Sequence, residues 1–335
     1  MNDTNHLYPL KFAPILKDHI WGGNRLKTVL KKDVKTQTCA ESWELSGLTD
    51  DVSVVVNGFL KDNDLQELIE IYMGDLVGDK IFERFGTVFP ILVKFIDARE
   101  QLSVQVHPDD DEAAKRYNAY GKTEMWYVME ADENSKLYVG FNQKMDEDKM
   151  MDAIGKENLE DVMNCEKVAA GDVFFIPAKR IHSIGENILL AEIQQTSDIT
   201  FRIDDWGRFC EDENRNITWR ELHIVEAVEV LDYSQLKECK TEYRKPMQET
   251  ATLVECQYFT TNIVCFDKPM TKDYNSLDSF VIYVCVSGEC SINWGNTTRN
   301  ESICKGETVL IPAVIDCVQL IPNEATELLE IYIKL

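Results

Sequence analysis

The 335-residue sequence predicts a mainly β protein made of two β-sandwich or barrel units with a few short helices. Three observations carry this. Short runs of β-branched and aromatic residues, closed by turn residues, recur along most of the chain. Convincing helical periodicity is confined to a few segments. One eight-residue pattern, Gly171-Asp172-Val173-Phe174-Phe175-Ile176-Pro177-Ala178, returns as Gly306-Glu307-Thr308-Val309-Leu310-Ile311-Pro312-Ala313.

The first helix is expected within Asp62–Met73, where Leu65, Leu68, Ile69, Tyr72 and Met73 fall on one stripe behind an acidic start. A second helical pattern runs from about Met145 to Met163, and Gly155 divides it into two short helices. A third, weaker one covers Asn216–Val230. The expected strands are Phe89–Ile96, Gln101–His107, Glu124–Glu130, Val173–Pro177, Ile188–Gln195, Phe280–Val286, Glu307–Ile311 and Glu327–Ile333. In both copies of the repeat a glycine turn feeds a strand that stops at Ile-Pro-Ala. Ahead of each copy lies a related strand, Met125-Trp126-Tyr127-Val128 and Val281-Ile282-Tyr283-Val284. This alignment makes Cys317 the counterpart of His182 and Phe280 the counterpart of Glu124. The polar segment Asp232–Pro246 reads as the connection, so a catalytic unit is expected over 1–240 and a degenerate second unit over 241–335.

The net charge of -24 argues against nucleic acid as a partner, because phosphates would be repelled over most of the surface. A small anionic substrate needs only a local cluster of Lys and Arg. No apolar run reaches the length of a membrane span, and Met1–His6 lacks the basic start and apolar block of a secretory signal. Cytoplasmic residence is the expectation. The ten cysteines contain no C-x-x-C pair and no tight Cys/His grouping, so most read as buried small hydrophobes.

The sharpest chemistry lies in Gln101-Leu102-Ser103-Val104-Gln105-Val106-His107-Pro108-Asp109-Asp110. On a strand, Gln105 and His107 point one way and Val104 and Val106 the other, and Pro108 leaves His107 at the rim. Seventeen residues on, Glu124 opens an apolar strand, where a buried carboxylate is costly without a cation. His182 follows the strand-ending Pro177. Two imidazoles, a carboxylate and an amide oxygen from separate strands suit Zn²⁺ with one open position; Mn²⁺, Fe²⁺ and Co²⁺ accept similar sets. Taken singly, each of these residues is more often an ordinary surface or hydrogen-bonded side chain.

Glycine, five residues, proline, four residues and histidine (Gly171, Pro177, His182) resembles the second motif of cupins, and Gln105-Val106-His107 followed by Glu124 resembles a variant of the first. The variant is similar to the type I mannose-6-phosphate isomerases, whose hallmarks occur in order. They are Trp21-Gly22-Gly23 with Leu26; Glu41-Ser42-Trp43-Glu44; Leu102 to Asp109; Gly121-Lys122-Thr123-Glu124; and Gln194-Gln195-Thr196-Ser197-Asp198 leading to Arg202. The resemblance is strong over about residues 8–210. The short interval between Glu124 and His182 leaves little room for the helical insert of longer forms and matches the compact bacterial type.

The resemblance implies two cupin jelly rolls and one Zn²⁺ per chain held by Gln105, His107, Glu124 and His182. It implies interconversion of mannose 6-phosphate and fructose 6-phosphate through a cis-enediol(ate), with Arg202 at the catalytic site. Lys122, two residues before Glu124, shares its face and is placed to meet substrate. Lys94, a charge inside Leu92-Val93-Lys94-Phe95-Ile96, marks either the pocket or an edge strand kept from aggregating. Ser103 shares the Gln105–His107 face and is either a phosphate donor or a structural hydroxyl. The bland reading of Arg202 is a salt bridge to Asp198, Asp204 or Asp205. His6, His19 and His223 have no metal-like spacing, although His19 sits beside the Trp-Gly-Gly block. The competing functions are another metal-dependent cupin enzyme, an epimerase or oxygenase, and a sugar-binding homologue without catalysis.

Overall fold

A computed structural model describes residues 7–211, 217–295 and 299–335. His6 and Asn216 lie outside the described residues. Two β sandwiches form the molecule. In the first, a six-stranded sheet runs in the order Ile15–Lys17, Glu41–Leu45, Ile91–Ala98, Ile188–Gln195, Glu124–Ala131, Val173–Ile176. It faces a five-stranded sheet in the order Phe201–Asp204, Val104–Val106, His182–Ile184, Lys136–Phe141, Met163–Lys167. The second sandwich sets Glu249–Glu255, Thr260–Phe266, Thr326–Tyr332, Val281–Ser287 and Thr308–Ile311 against Met270–Asp273, Cys317–Pro322, Glu289–Trp294 and Asn300–Cys304.

Alternation along the strands explains how the layers stack. In Ile91–Ala98 every residue is buried. Val93 and Phe95 enter a large core shared with Ile263, Ile282, Val284 and Leu329 of the second sandwich and with Leu65, Leu68 and Ile69 of the helices. Ile96 and Ala98 turn the other way, into the first sandwich with Trp126, Val139 and Phe174. The two larger sheets thus pack back to back, and each keeps a private interior on its other face. The second interior is built around Tyr283, Val318 and Leu328. Asp232–Pro246 is the connection between the units, but it is tied down: Lys240 Nζ reaches Asp172 at 2.8 Å and Tyr243 donates to the Gly171 carbonyl at 2.6 Å.

The helix Leu65–Tyr72 starts at a capping box formed by Asp64 and Glu67. The second pattern is split at its glycine into Glu147–Gly155 and Leu159–Val162. The third differs from expectation. Only Ile224–Val230 is helical, and Ile217–Trp219 is a strand, exposed at all three residues, that pairs with Phe209–Glu211. The short helices Arg25–Thr28, Gly74–Val77, Asp79–Phe85 and Asp110–Tyr117 were not predicted. Asp110–Tyr117 buries only Ala113 and is set by its cap, Asp109 accepting from Glu112 N at 3.1 Å, so no apolar stripe betrays it.

The repeat is real and its register corrects one alignment. Val173 pairs with Tyr127 and Ile176 with Glu124; Thr308 pairs with Val284 and Ile311 with Val281. The counterpart of Glu124 is therefore Val281, one residue beyond Phe280.

Candidate metal centre and substrate cavity

Three strand ends deliver the metal-type ligands to one point. His107 follows Val104–Val106, Glu124 begins its strand opposite Ile176 and Gln194, and His182 begins its strand opposite Gln105 and Val139. Pro108 and Pro177, which cannot extend a ladder, leave these positions at the rim. Each imidazole is oriented by a carbonyl: His107 Nδ1 meets Ile199 O at 2.8 Å and His182 Nδ1 meets Arg180 O at 2.8 Å. A carbonyl only accepts, so Nδ1 carries the proton and Nε2 is left with its lone pair. Both Nε2 atoms face Glu124, at 3.4 Å from Oε2 for His107 and 3.5 Å from Oε1 for His182.

All three side chains are buried, and their ligand atoms lie within 4.8 Å of one another. His107 Nε2, His182 Nε2 and both Glu124 oxygens make no hydrogen bond. Buried polar atoms are ordinarily paired, and four converging exceptions fit a divalent cation. Burial, then the charge of Lys122, pushes the His107 imidazole down to about 3, and burial lowers His182. Burial opposes ionisation of Glu124, but Lys122 and then His107 hold its carboxyl below the usual range. Two neutral imidazoles and one carboxylate are the protonation states metal binding requires.

Beside the cluster lies a cavity of about 250 Å³ whose walls include Ser103, Gln105, Lys94, Lys122 and Arg202, together with His19 and Trp21. Every sequence-predicted site residue therefore reaches the cluster or this cavity. Lys122 Nζ sits 3.3 Å from Glu124 Oε2 and 3.8 Å from Glu192 Oε1. Lys94 is on a central strand, so the edge-strand reading falls; its Nζ lies 3.6 Å from Glu41, 3.7 Å from Glu192 and 3.7 Å from Asp198. Ser103 Oγ is 3.4 Å from Gln105 Oε1. The bland reading of Arg202 as a salt bridge to Asp198, Asp204 or Asp205 falls. Arg202 Nη1 donates to the Glu221 carbonyl at 2.7 Å, while its Nε is buried without a partner. His223 accepts from Arg202 N at 3.2 Å.

Sequence reasoning gave no site role to four charged wall residues: Glu41, Glu192, Asp198 and Arg220. Glu192 carries the signal used for Lys94, a charge inside an apolar strand, and the two are neighbours in the ladder. Its carboxyl is pushed up to about 7 by burial and then by the charge of Glu124. Glu41 is held low: burial opposes, but Lys94 and then His19 prevail. Arg220 lies outside any strand or helix and carried no signal. All ten cysteines are unpaired, but only five (Cys39, Cys239, Cys265, Cys285 and Cys290) are buried, so the reading of most as buried small hydrophobes holds for half of them. Among the described residues no helix is long and apolar enough to cross a membrane.

Comparison with known proteins meets this geometry from the other side. Residues 9–147 match the description of the phosphomannose isomerase type I catalytic domain. The chain is 34% identical over 258 residues to mannose-6-phosphate isomerase ManA of Bacillus subtilis, covering 75% of this chain and 78% of that one. It is 35% identical over 253 residues to the mannose-6-phosphate isomerase of Streptococcus mutans, covering 75% and 77%. The crystal structure of the mannose 6-phosphate isomerase from Bacillus subtilis superposes with a TM-score of 0.85 at 25% identity, over 97% of this chain and 99% of that one. With this fold and this buried His-Glu-His cluster, the chain belongs to the type I phosphomannose isomerase family, a family of aldose–ketose isomerases.

Proposed function

We propose that the cavity interconverts mannose 6-phosphate and fructose 6-phosphate through a cis-enediol(ate), with one Zn²⁺ held by Gln105, His107, Glu124 and His182. The observation that carries the metal is the convergence of four buried ligand atoms that make no hydrogen bond. Two imidazoles, a carboxylate and an amide oxygen are a zinc-type donor set. The ion would polarise the substrate carbonyl and offset the negative charge that develops on the enediolate.

The protein's own groups supply the rest. Glu192 Oε1 is buried, makes no hydrogen bond and lies between Lys94 and Lys122. In a cis-enediol the proton leaves one carbon and returns to its neighbour on the same face, so one carboxyl can serve both transfers. Glu192 is assigned that role, and a carboxyl tuned near neutrality suits it. Lys122 keeps Glu124 ionised and offers its ammonium to the substrate oxygens. Arg202 adds a fixed positive charge that the fold leaves partly unpaired. Lys94 and Ser103, also in the cavity wall, contact the sugar. Residues 1–240 form the catalytic unit of this proposal and 241–335 a supporting cupin. Cytoplasmic residence belongs to it too, since ten unpaired cysteines suit a reducing compartment.

The test is a coupled assay of mannose 6-phosphate conversion before chelation, after chelation and after zinc is restored, with His182→Ala alongside. Activity is expected to disappear with the chelator, return with zinc and stay absent in the variant. Turnover that survives metal removal would sink the proposed centre.

A further inference from the structure

The far end of the cavity holds more positive charge than the reaction as described requires. Arg202 and Arg220 both line it. Arg220 and His19 also line an adjoining cavity of about 410 Å³ that extends past Asp18, Ile20 and Cys210. These two residues therefore stand where the cavities meet. Arg220 arrives directly from the hairpin Phe209–Glu211/Ile217–Trp219, in which Phe209 pairs with Trp219 and their rings lie 3.9 Å apart. Phe209, Ile217 and Trp219 are exposed, so the hairpin is not there to complete a core. The Arg220 side chain, in contrast, is only 19% exposed.

Three guanidiniums surround one carboxylate at this end. Asp205 accepts from Arg208 Nη2 at 2.5 Å and from Arg220 Nη1 at 3.1 Å. Arg202 donates only to backbone through its guanidinium and keeps a buried, unpartnered Nε. Its guanidinium is pushed below its usual range by burial and next by the charge of Arg220. Around Asp205 the guanidiniums outnumber the carboxylate, with Asp198 the other carboxylate lining the cavity beside Arg202 and Arg220. Asp205 joins two of these cations, and the unpartnered Arg202 Nε beside them favours a second anion.

We infer that Arg220 grips the phosphate monoester of the substrate and selects phosphorylated over free sugar. This rests on the isomerase reading above. In a hexose 6-phosphate the reacting carbons and the phosphate lie at opposite ends. A sugar with its carbonyl at the His-Glu-His cluster therefore sets its phosphate toward the cavity junction, where Arg220 meets it from the outer side and Arg202 from the inner. The hairpin acts as an arm that fixes Arg220 in place.

The experiment uses the zinc-loaded full chain and its Arg220→Ala and Arg220→Lys variants. In Arg220→Ala the KM for mannose 6-phosphate is expected to rise about ten- to hundredfold, the size of a lost charge-assisted hydrogen bond, with kcat changed far less. Arg220→Lys recovers part of the loss, because it keeps the charge and not the fork. Competitive inhibition by inorganic phosphate weakens in parallel, while residual turnover of free mannose is unchanged. Stabilisation of the fold by inorganic phosphate, read as a melting shift, is present in the parent and absent in Arg220→Ala. That arm needs no turnover: if the parent is inactive yet shows the Arg220-dependent shift, the isomerase reading falls and the phosphate site stands. A KM and phosphate inhibition within twofold of the parent in both variants overturns the inference. So does an equal loss on phosphorylated and free sugar.

Discussion

In the first sandwich Trp126 lies opposite Glu192 and donates its indole N–H to that carboxylate at 2.9 Å; in the second, Tyr283 lies opposite Glu330 in the equivalent register. Lys94 pairs with Glu192, and Asn262 pairs with Glu330. The repeat thus keeps a glutamate at one interior position and changes everything around it. Glu330 is fully satisfied: Lys272 at 2.8 Å, Tyr274 at 2.6 Å and Asn262 at 2.9 Å, with Tyr274 also bonded to Tyr283. Glu192 Oε1 has two lysines near it and no hydrogen bond. Where the first unit places Glu124, the second places Val281, and the exposed Cys317 stands for the buried His182. One interior is left electrostatically unfinished, as the proposed metal and substrate require. The other is closed by tyrosines and contributes stability instead. Sites that act on ligands are where polar satisfaction is expected to fail.

The comparison breaks most completely if the first unit is given the second unit's residue. Glu124→Val removes the shared carboxylate of the cluster. Zinc content, measured by atomic absorption, is expected to fall well below one ion per chain, and turnover to drop by more than about a thousandfold, the scale of several kcal/mol of lost charge stabilisation. The metal-free variant should melt below the metal-free parent, because the buried Lys122 loses the carboxylate 3.3 Å from its ammonium. Full zinc occupancy with unchanged turnover would remove Glu124 from the centre.

Exchanging the two equivalent glutamates for glutamine sharpens the contrast. Glu192→Gln should lose about a hundred- to ten-thousandfold in kcat, the worth of a positioned general base. Glu330→Gln should leave kcat unaltered. The pH dependence follows from the raised carboxyl of Glu192, about 7 in the fold against an ordinary glutamate's 4.5. As a base it works only once deprotonated, so kcat/KM should climb as pH rises through about 7, and that limb should vanish in Glu192→Gln. The same elevation is a stability contribution with the opposite slope. It is fully present below 4.5, where the group is protonated in both states, and lost as pH rises through about 7. Melting curves across this window should therefore steepen their decline in the parent relative to Glu192→Gln.

How much of this was legible beforehand depends on the kind of signal. His107, Glu124 and His182 announced themselves because strand alternation and strand-ending prolines act locally. Lys94 and Glu192 are the same signal, a charge in an apolar strand, but only the first was singled out. Their adjacency exists through strand pairing, which no short window contains. Arg220 was invisible, since a guanidinium after an exposed hairpin reads as solvated surface. The helix Asp110–Tyr117 escaped because its cap and not its periodicity specifies it, and Asn216–Val230 misled because apolar residues of an exposed hairpin mimic a helical stripe. The repeat was recognised from its Ile-Pro-Ala ends, yet its first strand was aligned one residue out. An offset of one moves a side chain to the opposite face, so the error fell on the residue that decides the chemistry.

The second interior should prove structural when it is cut. Glu330→Ala leaves Lys272 without its carboxylate and Tyr274 and Asn262 without their acceptor. Removing one partner of a buried ion pair costs about 3–5 kcal/mol, and the Lys272 and Glu330 side chains are only 14% and 2% exposed. A lowered urea midpoint with zinc content and kcat intact is the expected result. A variant with parental stability and impaired turnover would instead give the second unit a direct part in the reaction.

The smallest effect is expected where the two units touch through charge. Lys305 Nζ lies 2.8 Å from Glu130 Oε1, across from the second unit to the first, with the two side chains 34% and 37% exposed. Pairs this exposed contribute less than about 1 kcal/mol, and salt screens them. The apolar seam beside them is of another order. Phe89 and Phe280 are fully buried with ring centroids 4.6 Å apart, inside a core that draws on both larger sheets. Lys305→Ala should therefore shift the melting temperature only slightly and leave a single calorimetric transition at low and high salt. Two resolved transitions in the variant would mean that this ion pair couples the units, and that the shared core alone does not hold the second unit to the first.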